Sequence, residues 1–125
     1  MKKILFDYKD YKAYLNDHIR KSPHNGRGMR SMLADKIRSQ SSYVTKVLNE
    51  EAHFSLEQAS LINEALAHTE EESRFFLYLV QLARAGNDTV KKFFENEISK
   101  ILDSRLTIKN RMDAEEGISL LKEKL

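Results

Sequence analysis

The sequence predicts an all-helical protein, and three observations carry that expectation. The 125 residues contain only one proline and four glycines. Leu, Lys, Glu and Ala, all strong helix formers, are abundant. Apolar residues recur at three- and four-residue intervals along nearly the whole chain, a helical rather than a strand period. About seven helices and no strand are expected, organised as a helix-turn-helix domain over residues 1–86 and a helical C-terminal extension over 87–125. A chain of this length buries one core without staples.

In chain order, Phe6 to Tyr11 opens a first helix with Asp7 as its expected cap. Tyr8, Tyr11, Leu15 and Ile19 then form one apolar stripe. Lys21 to Gly28, KSPHNGRG, reads as a loop from its Pro, Asn and two Gly. Met29 to Leu48 follows as two short helices. Leu33, Ala34 and Ile37 mark the first; Tyr43, Val44, Val47 and Leu48 mark the second. The polar run Arg38-Ser39-Gln40-Ser41-Ser42 joins them, too short for a long loop and rich in residues that stop or start helices. Two short helices on a tight turn is the helix-turn-helix pattern. Ala34 falls where the helices cross, and Val44 and Val47 form the buried face of the second. Gln40, Ser41, Ser42, Thr45, Lys46 and Asn49 are left facing outward, where they can meet base edges and phosphates.

Beyond it, Ser55-Leu56-Glu57-Gln58 reads as a capping box. Its helix carries Leu56, Ala59, Ile62, Ala65 and Leu66 along one side. Thr69 caps the next helix, with Glu70, Glu71 and Glu72 at the positive end of its dipole. Phe75, Phe76, Leu77, Leu79, Val80, Leu82 and Ala83 make that helix apolar nearly all round, which suits a central strut. Gly86-Asn87-Asp88 stops it. A long helix is expected from Thr89 to about Met112, with more apolar residues than one small core needs, so its outer end needs a partner. A short separate helix is expected from Asp113 to Leu125, with Ile118, Leu121 and Leu125 on one side and Gly117 weakening it.

The net charge of +2 is unevenly spread. Residues 1–54 hold 11 Lys/Arg against 6 Asp/Glu, and residues 55–125 hold 10 against 13. A basic half holding the helix-turn-helix and an acidic scaffold half fit a polyanion-binding module. Cysteine is absent, which excludes disulfides and thiolate metal sites and fits a reducing cytoplasm. The opening MKKILFDYKDY lacks the apolar run of a signal peptide, and no run reaches the length of a membrane span. The histidines His18, His24, His53 and His68 fall on separate segments without metal-ligand spacing. No G-x-S-x-G, H-E-x-x-H or cysteine nucleophile is present, so neither an enzyme nor a cofactor or metal is expected.

MLADKIRSQSSYVTKVL resembles the lambda-repressor-like, or XRE-type, helix-turn-helix. More narrowly, LADKIRSQSSYVTKVLN, AHFSLEQA and FFLYLVQLARAG with a basic, heptad-like tail resemble a bacterial family of proposed regulators, over roughly Phe6 to Met112. That family couples an XRE-like N-terminal module to a helical C-terminal region. The resemblance implies a homodimer formed through the C-terminal helices and binding to a roughly palindromic double-stranded DNA site. The second helix would lie in the major groove, and the protein would be cytoplasmic and nucleoid-associated. Carried onto this sequence, it implies base contacts from Gln40, Ser41, Ser42, Thr45 and Lys46, and phosphate contacts from Arg30, Ser31, Arg38 and Asn49. Tyr43 either stacks on the sugar-phosphate edge or packs inward, with partial burial favoured. No arginine lies within the recognition helix, so modest discrimination is expected, with Gln40 the best reader of adenine.

Two departures stand out. Arg38 replaces the usual turn glycine, at a cost of about 1 kcal/mol if it takes positive φ. Glu50, followed by Glu51, replaces the glycine usual after Asn49 and would repel phosphates unless both point away. A module that kept this fold for protein–protein interaction is therefore the competing expectation, with a helical enzyme or small-molecule sensor third.

Overall fold

The computed structural model describes residues 2–123 and contains, among them, six α-helices, two short 3-10 turns and no strand. The helices are α1 (Tyr11–Arg20), α2 (Arg27–Lys36), α3 (Ser41–Asn49), α4 (Leu56–Ala65), α5 (Glu70–Arg84) and α6 (Asp88–Glu123). The fold class read from the sequence is thus the one observed. None of the described helices is long and apolar enough to cross a membrane.

The first helix begins later than expected. Asp7 sits in a 3-10 turn, Leu5–Asp7, where its carboxylate accepts from the Ile4 amide at 2.9 Å. Asp10 is the cap instead, accepting from the Lys12 amide at 3.1 Å. Tyr8 therefore lies before α1, yet it is buried and donates from its hydroxyl to Asp17 Oδ2 at 2.7 Å. Tyr11, Leu15 and Ile19 are the buried stripe of α1.

The expected loop over 21–28 is shorter than its composition suggested. A 3-10 turn spans Pro23–Gly26, and α2 already starts at Arg27. His24, Asn25 and Gly26 all take left-handed backbone conformations. At Gly26 glycine is obligatory on two counts: φ is +78°, and a Cβ would overlap the Ile19 side chain and carbonyl. Gly28 has only open space around it, so it is absorbed into the first turn of α2.

The capping box at Ser55 forms as read, and the Thr69 cap proves to be a second box. The Gln58 amide donates to Ser55 Oγ at 3.0 Å and the Ser55 amide to Gln58 Oε1 at 2.9 Å. Thr69 and Glu72 repeat the arrangement at 3.2 and 2.8 Å. Leu56, however, lies exposed beside the box, and Ala59 and Ile62 bury the inner face of α4 without it. The strut is α5, which packs on α1, α4, α6 and the first 3-10 turn through Phe75, Phe76, Leu79 and Val80. Ala83, counted in its apolar set, is exposed.

Past Asn87, whose Oδ1 accepts from the Val90 amide, the chain departs most from expectation. The two expected C-terminal helices are one, a continuous α6 of 36 residues and about 54 Å at roughly 1.5 Å per residue. No boundary falls between Met112 and Asp113, and the weakening glycine at 117 is tolerated, since a solvated glycine costs only about 1 kcal/mol relative to alanine. Ile101 is buried in the core and Ile98 packs against it, so α6 is docked by its first half. Arg105 pins the far edge of this contact, bonding Glu71 Oε1 at 2.6 Å and stacking 3.6 Å over the Phe6 ring. Ile118 and Leu121 are exposed, and Leu125 lies outside the described residues.

A polar network threads the core. The Asn63 amide nitrogen donates to Ser73 O at 3.1 Å, leaving Asn63 Oδ1 to accept from His68 Nδ1 at 2.7 Å. His68 Nε2 then accepts from the Tyr14 hydroxyl at 2.8 Å. That tautomer is neutral, and burial holds the His68 pKa below its ordinary value near 6.5. Burial lowers His18 and His53 as well, helped by Lys21 and Lys12 respectively. Burial also raises the Tyr14 hydroxyl to about 12, so it stays a donor.

This packing generates two predictions. Gly26→Ala should destabilise the fold by at least about 2 kcal/mol, from left-handed strain plus steric overlap, read as a drop in urea midpoint at unchanged slope. With three histidine pKa values depressed in the fold, the unfolded chain binds more protons below pH 6.5 or so. Stability should therefore be full above that pH and fall towards pH 5. His68→Gln should lower stability at pH 7.5 yet flatten this dependence; equal midpoints at pH 7.5 and 5.5 in the unsubstituted protein would refute it.

Candidate nucleic-acid interface

The candidate surface is built by α2, the turn after it, and α3. Helix α2 closes in a Schellman arrangement: the Ser39 amide donates to Ala34 O at 2.8 Å and the Arg38 amide to Asp35 O at 3.1 Å. Arg38 occupies the left-handed position at φ +57°. The residue that replaces the usual glycine therefore does adopt the conformation glycine favours. Gln40 is extended and precedes the first turn of α3. Val44 and Val47 have no solvent exposure and Leu48 almost none, and they close on Leu33 and Ala34 of α2. Burying one side of a nine-residue helix this completely forces the other side outward.

That outer side carries Gln40, Ser41, Ser42, Thr45, Lys46 and Asn49. Gln40, Ser41, Ser42, Thr45, Lys46 and Asn49 are all solvent-facing rather than buried. Their polar groups are partly organised. The Thr45 hydroxyl donates back to Ser41 O at 3.2 Å, so its oxygen is left as an acceptor. The Ser42 hydroxyl lies 3.5 Å from Gln40 Oε1. Ser31, one turn into α2, brings its hydroxyl 3.5 Å from that of Ser41. Two hydroxyls and the first amides of α3 thus share one patch, with Arg38 exposed beside it and Arg30 half-buried on α2. Asn49 is at the opposite end of the ridge, so it does not join this cluster.

Tyr43 turns away from the ridge. Half-buried, it packs edge-on against Phe54 at 6.2 Å and donates from its hydroxyl to Gln58 Oε1 at 3.3 Å. Glu50 and Glu51 are exposed just past the end of α3.

Sequence reading missed the side chains that hold α3 at its C-terminal end. Lys12 Nζ donates to the carbonyls of both Glu50 and Ala52 at 2.6 Å, and Asn16 Nδ2 donates to Leu48 O at 3.4 Å. A lysine ammonium there also opposes the negative end of the α3 dipole. Arg84, from the end of α5, donates to Phe54 O at 3.1 Å. In the same connection the Tyr11 hydroxyl bonds His53 Nδ1 at 2.9 Å, with burial pushing Tyr11 up to about 12. These last two pairs lie 30 and 42 residues apart in sequence, beyond the reach of any local pattern.

Chemically, the ridge offers amide, hydroxyl and ammonium groups and no nucleophile–base pair. Among the described residues no three His, Asp or Glu side chains converge as a metal site.

Arg38→Gly should stabilise the protein by about 1 kcal/mol by relieving the left-handed turn. For a domain of this size that corresponds to a rise in Tm of about 3–5 °C. An unchanged or lower Tm by calorimetry would show that the Arg38 side chain contributes more than its backbone costs. Comparison of the chain with protein-family models, with curated proteins and with solved structures gives no match.

Proposed function

We propose that the protein is a double-stranded DNA-binding transcription regulator, acting as a homodimer through its C-terminal helix and laying α3 in the major groove. The observation that carries this reading is the polar, exposed ridge from Gln40 to Asn49, backed by a helix face with no solvent exposure at Val44 and Val47. A short helix held rigidly from behind, with an uninterrupted hydrogen-bonding front, is what base-edge readout requires. Gln40, Ser41, Ser42, Thr45 and Lys46 are the residues assigned to bases. Arg30, Ser31, Arg38 and Asn49 are assigned to phosphates, which fix register and supply salt-dependent affinity. Tyr43, tied to Gln58, supports the ridge more than it contacts DNA. No catalytic step and no cofactor enters this reading.

A second reading has its own support: Glu50 and Glu51 are exposed at the end of the ridge, and α6 exposes apolar side chains well beyond the core. Under it, the protein is an interaction module that kept the helix-turn-helix frame without DNA affinity.

Fluorescence anisotropy with random and genomic duplexes at about 50 and 200 mM salt separates the two. Binding that weakens steeply with salt is expected. Lys46→Glu should weaken binding to every duplex by roughly five- to tenfold. Gln40→Ala should leave affinity for random duplex unchanged and remove about 1–3 kcal/mol of preference at one base position. Absence of binding to any duplex at the lower salt would rule out the regulator.

A further inference from the structure

Beyond Arg105 the helix α6 leaves the body of the protein, and the side chains it carries there follow a definite order. Leu102, Arg105, Lys109, Asp113, Glu116 and Leu120 succeed one another at intervals of three and four residues. At 3.6 residues per turn they fall within about 80° of arc on one stripe. The stripe reads apolar, basic, basic, acidic, acidic, apolar. It continues the face that docks Ile98 and Ile101 against α5, and it emerges beside an open groove where Ile4 and Phe6 meet Leu102, Leu106 and Met112. Ile108 and Met112 flank its centre and are more than half exposed, at 52 % and 63 %.

We infer that this stripe pairs with the same stripe of a second copy, antiparallel, about a two-fold axis level with position 111 of α6. The inference rests on the homodimer reading above and specifies its geometry. Charge order decides it. Run antiparallel, the stripe sets Arg105 against the partner's Glu116, Lys109 against the partner's Asp113, and Leu102 against the partner's Leu120. All three pairings occur in one register, and the two-fold doubles each. Near the two-fold, on the flank of the stripe, Ile108 comes close to the partner's Met112 and Met112 to the partner's Ile108, which supplies apolar area there. Run parallel, the same stripe stacks Arg105 on Arg105, Lys109 on Lys109 and Glu116 on Glu116, and like charges directly apposed are repulsive. Arg105 already bonds Glu71 within its own chain, so the partner's Glu116 would close a three-membered network on a guanidinium that has further N–H groups to donate. The outer end of each α6 then lies along the groove at Ile4 and Phe6 of the other copy.

The test uses the full chain without DNA. Light scattering coupled to size exclusion should give a dimer at micromolar concentration. Lys109→Glu and Asp113→Lys, both at exposed positions, should each weaken dimerisation about tenfold by turning two attractions into repulsions. The double variant carrying both should recover to within about threefold, because each introduced glutamate then faces an introduced lysine of the other copy. The chain lacks cysteine, so orientation can be read directly: Leu102→Cys with Leu120→Cys should form a disulfide-linked dimer under mild oxidation, and Leu120→Cys alone should not. Circular dichroism confirms that each variant is folded. A monomer throughout, no recovery in the double variant, or linkage by Leu120→Cys alone would overturn the inference. Because these readouts contain no DNA, an antiparallel dimer without duplex affinity would sink only the regulator reading, and a parallel dimer that binds duplex would sink only this one.

Discussion

The angle between α2 and α3 is the constraint on which the rest of this structure depends. It is set by Val44, Val47 and Leu48 closing on Leu33 and Ala34, with Ala34 only 2 % exposed. Interiors pack at crystal-like density, so a helix with three fully engaged side chains has little freedom to roll or slide. A nine-residue helix is too short to hold itself together in water. The ridge of α3 is therefore helical because it is packed, and its outer face is presented at a fixed attitude for the same reason. The two ends are secured differently. At the N-terminal end a left-handed corner at Arg38 turns the chain, and at the C-terminal end Asn16 of α1 holds the Leu48 carbonyl while Lys12 holds the carbonyls of Glu50 and Ala52 just beyond the helix.

That corner has a counterpart. Ala67, after α4, also takes positive φ, at +53°, with the His68 amide donating to Asn63 O at 3.1 Å and the Ala67 amide to Glu64 O at the same distance. Both corners are Schellman closures built without glycine, each at a cost of roughly 1–2 kcal/mol. Neighbouring contacts over-determine them. Ile37 is buried just before the first corner, and the Tyr14–His68–Asn63 network closes over the second. Glycine is kept where relief is impossible, at Gly26, because there the neighbouring backbone occupies the space of a Cβ.

The elements legible in the sequence are those fixed by near neighbours. Ser55 with Gln58 and Thr69 with Glu72 form their boxes three residues apart, and the apolar spacing of α5 marks it as the strut, so helix existence and order follow from local chemistry. Errors sit where a local signal competes with something remote. Asp7 looks like a cap, but the burial of Tyr8 and its bond to Asp17 move the cap three residues on, to Asp10. A division was expected near Met112 and Asp113, but neither proline nor a turn sequence stands there, and one weakening glycine at 117 is too small a penalty to end a helix already propagating. The outer face of α3 was likewise readable from helical period alone, because its burial partners are apolar and close in sequence. Lys12, Asn16 and Arg84 were not, since each reaches a backbone carbonyl brought near only by the completed fold.

Those remote contacts also make one mechanical path through the molecule. Lys12 and Asn16 tie α3 to α1, and Tyr14 ties α1 through His68 to the α4–α5 corner. Tyr8 and Asp17 fasten the N-terminal segment to α1, while Phe6 in that segment packs on Phe75 of α5 and under the guanidinium of Arg105. Arg105 and Glu71 then couple α5 to the point where α6 leaves the body. Every link is a side chain with a named partner on another part of the chain. The direction of the α6 overhang relative to the α3 ridge is consequently a property of the core. Any two-fold imposed on the overhang therefore sets the distance and the mutual attitude of two ridges without further adjustment. Helix-turn-helix dimers need that fixed relation, because half-sites recur at whole turns of the duplex.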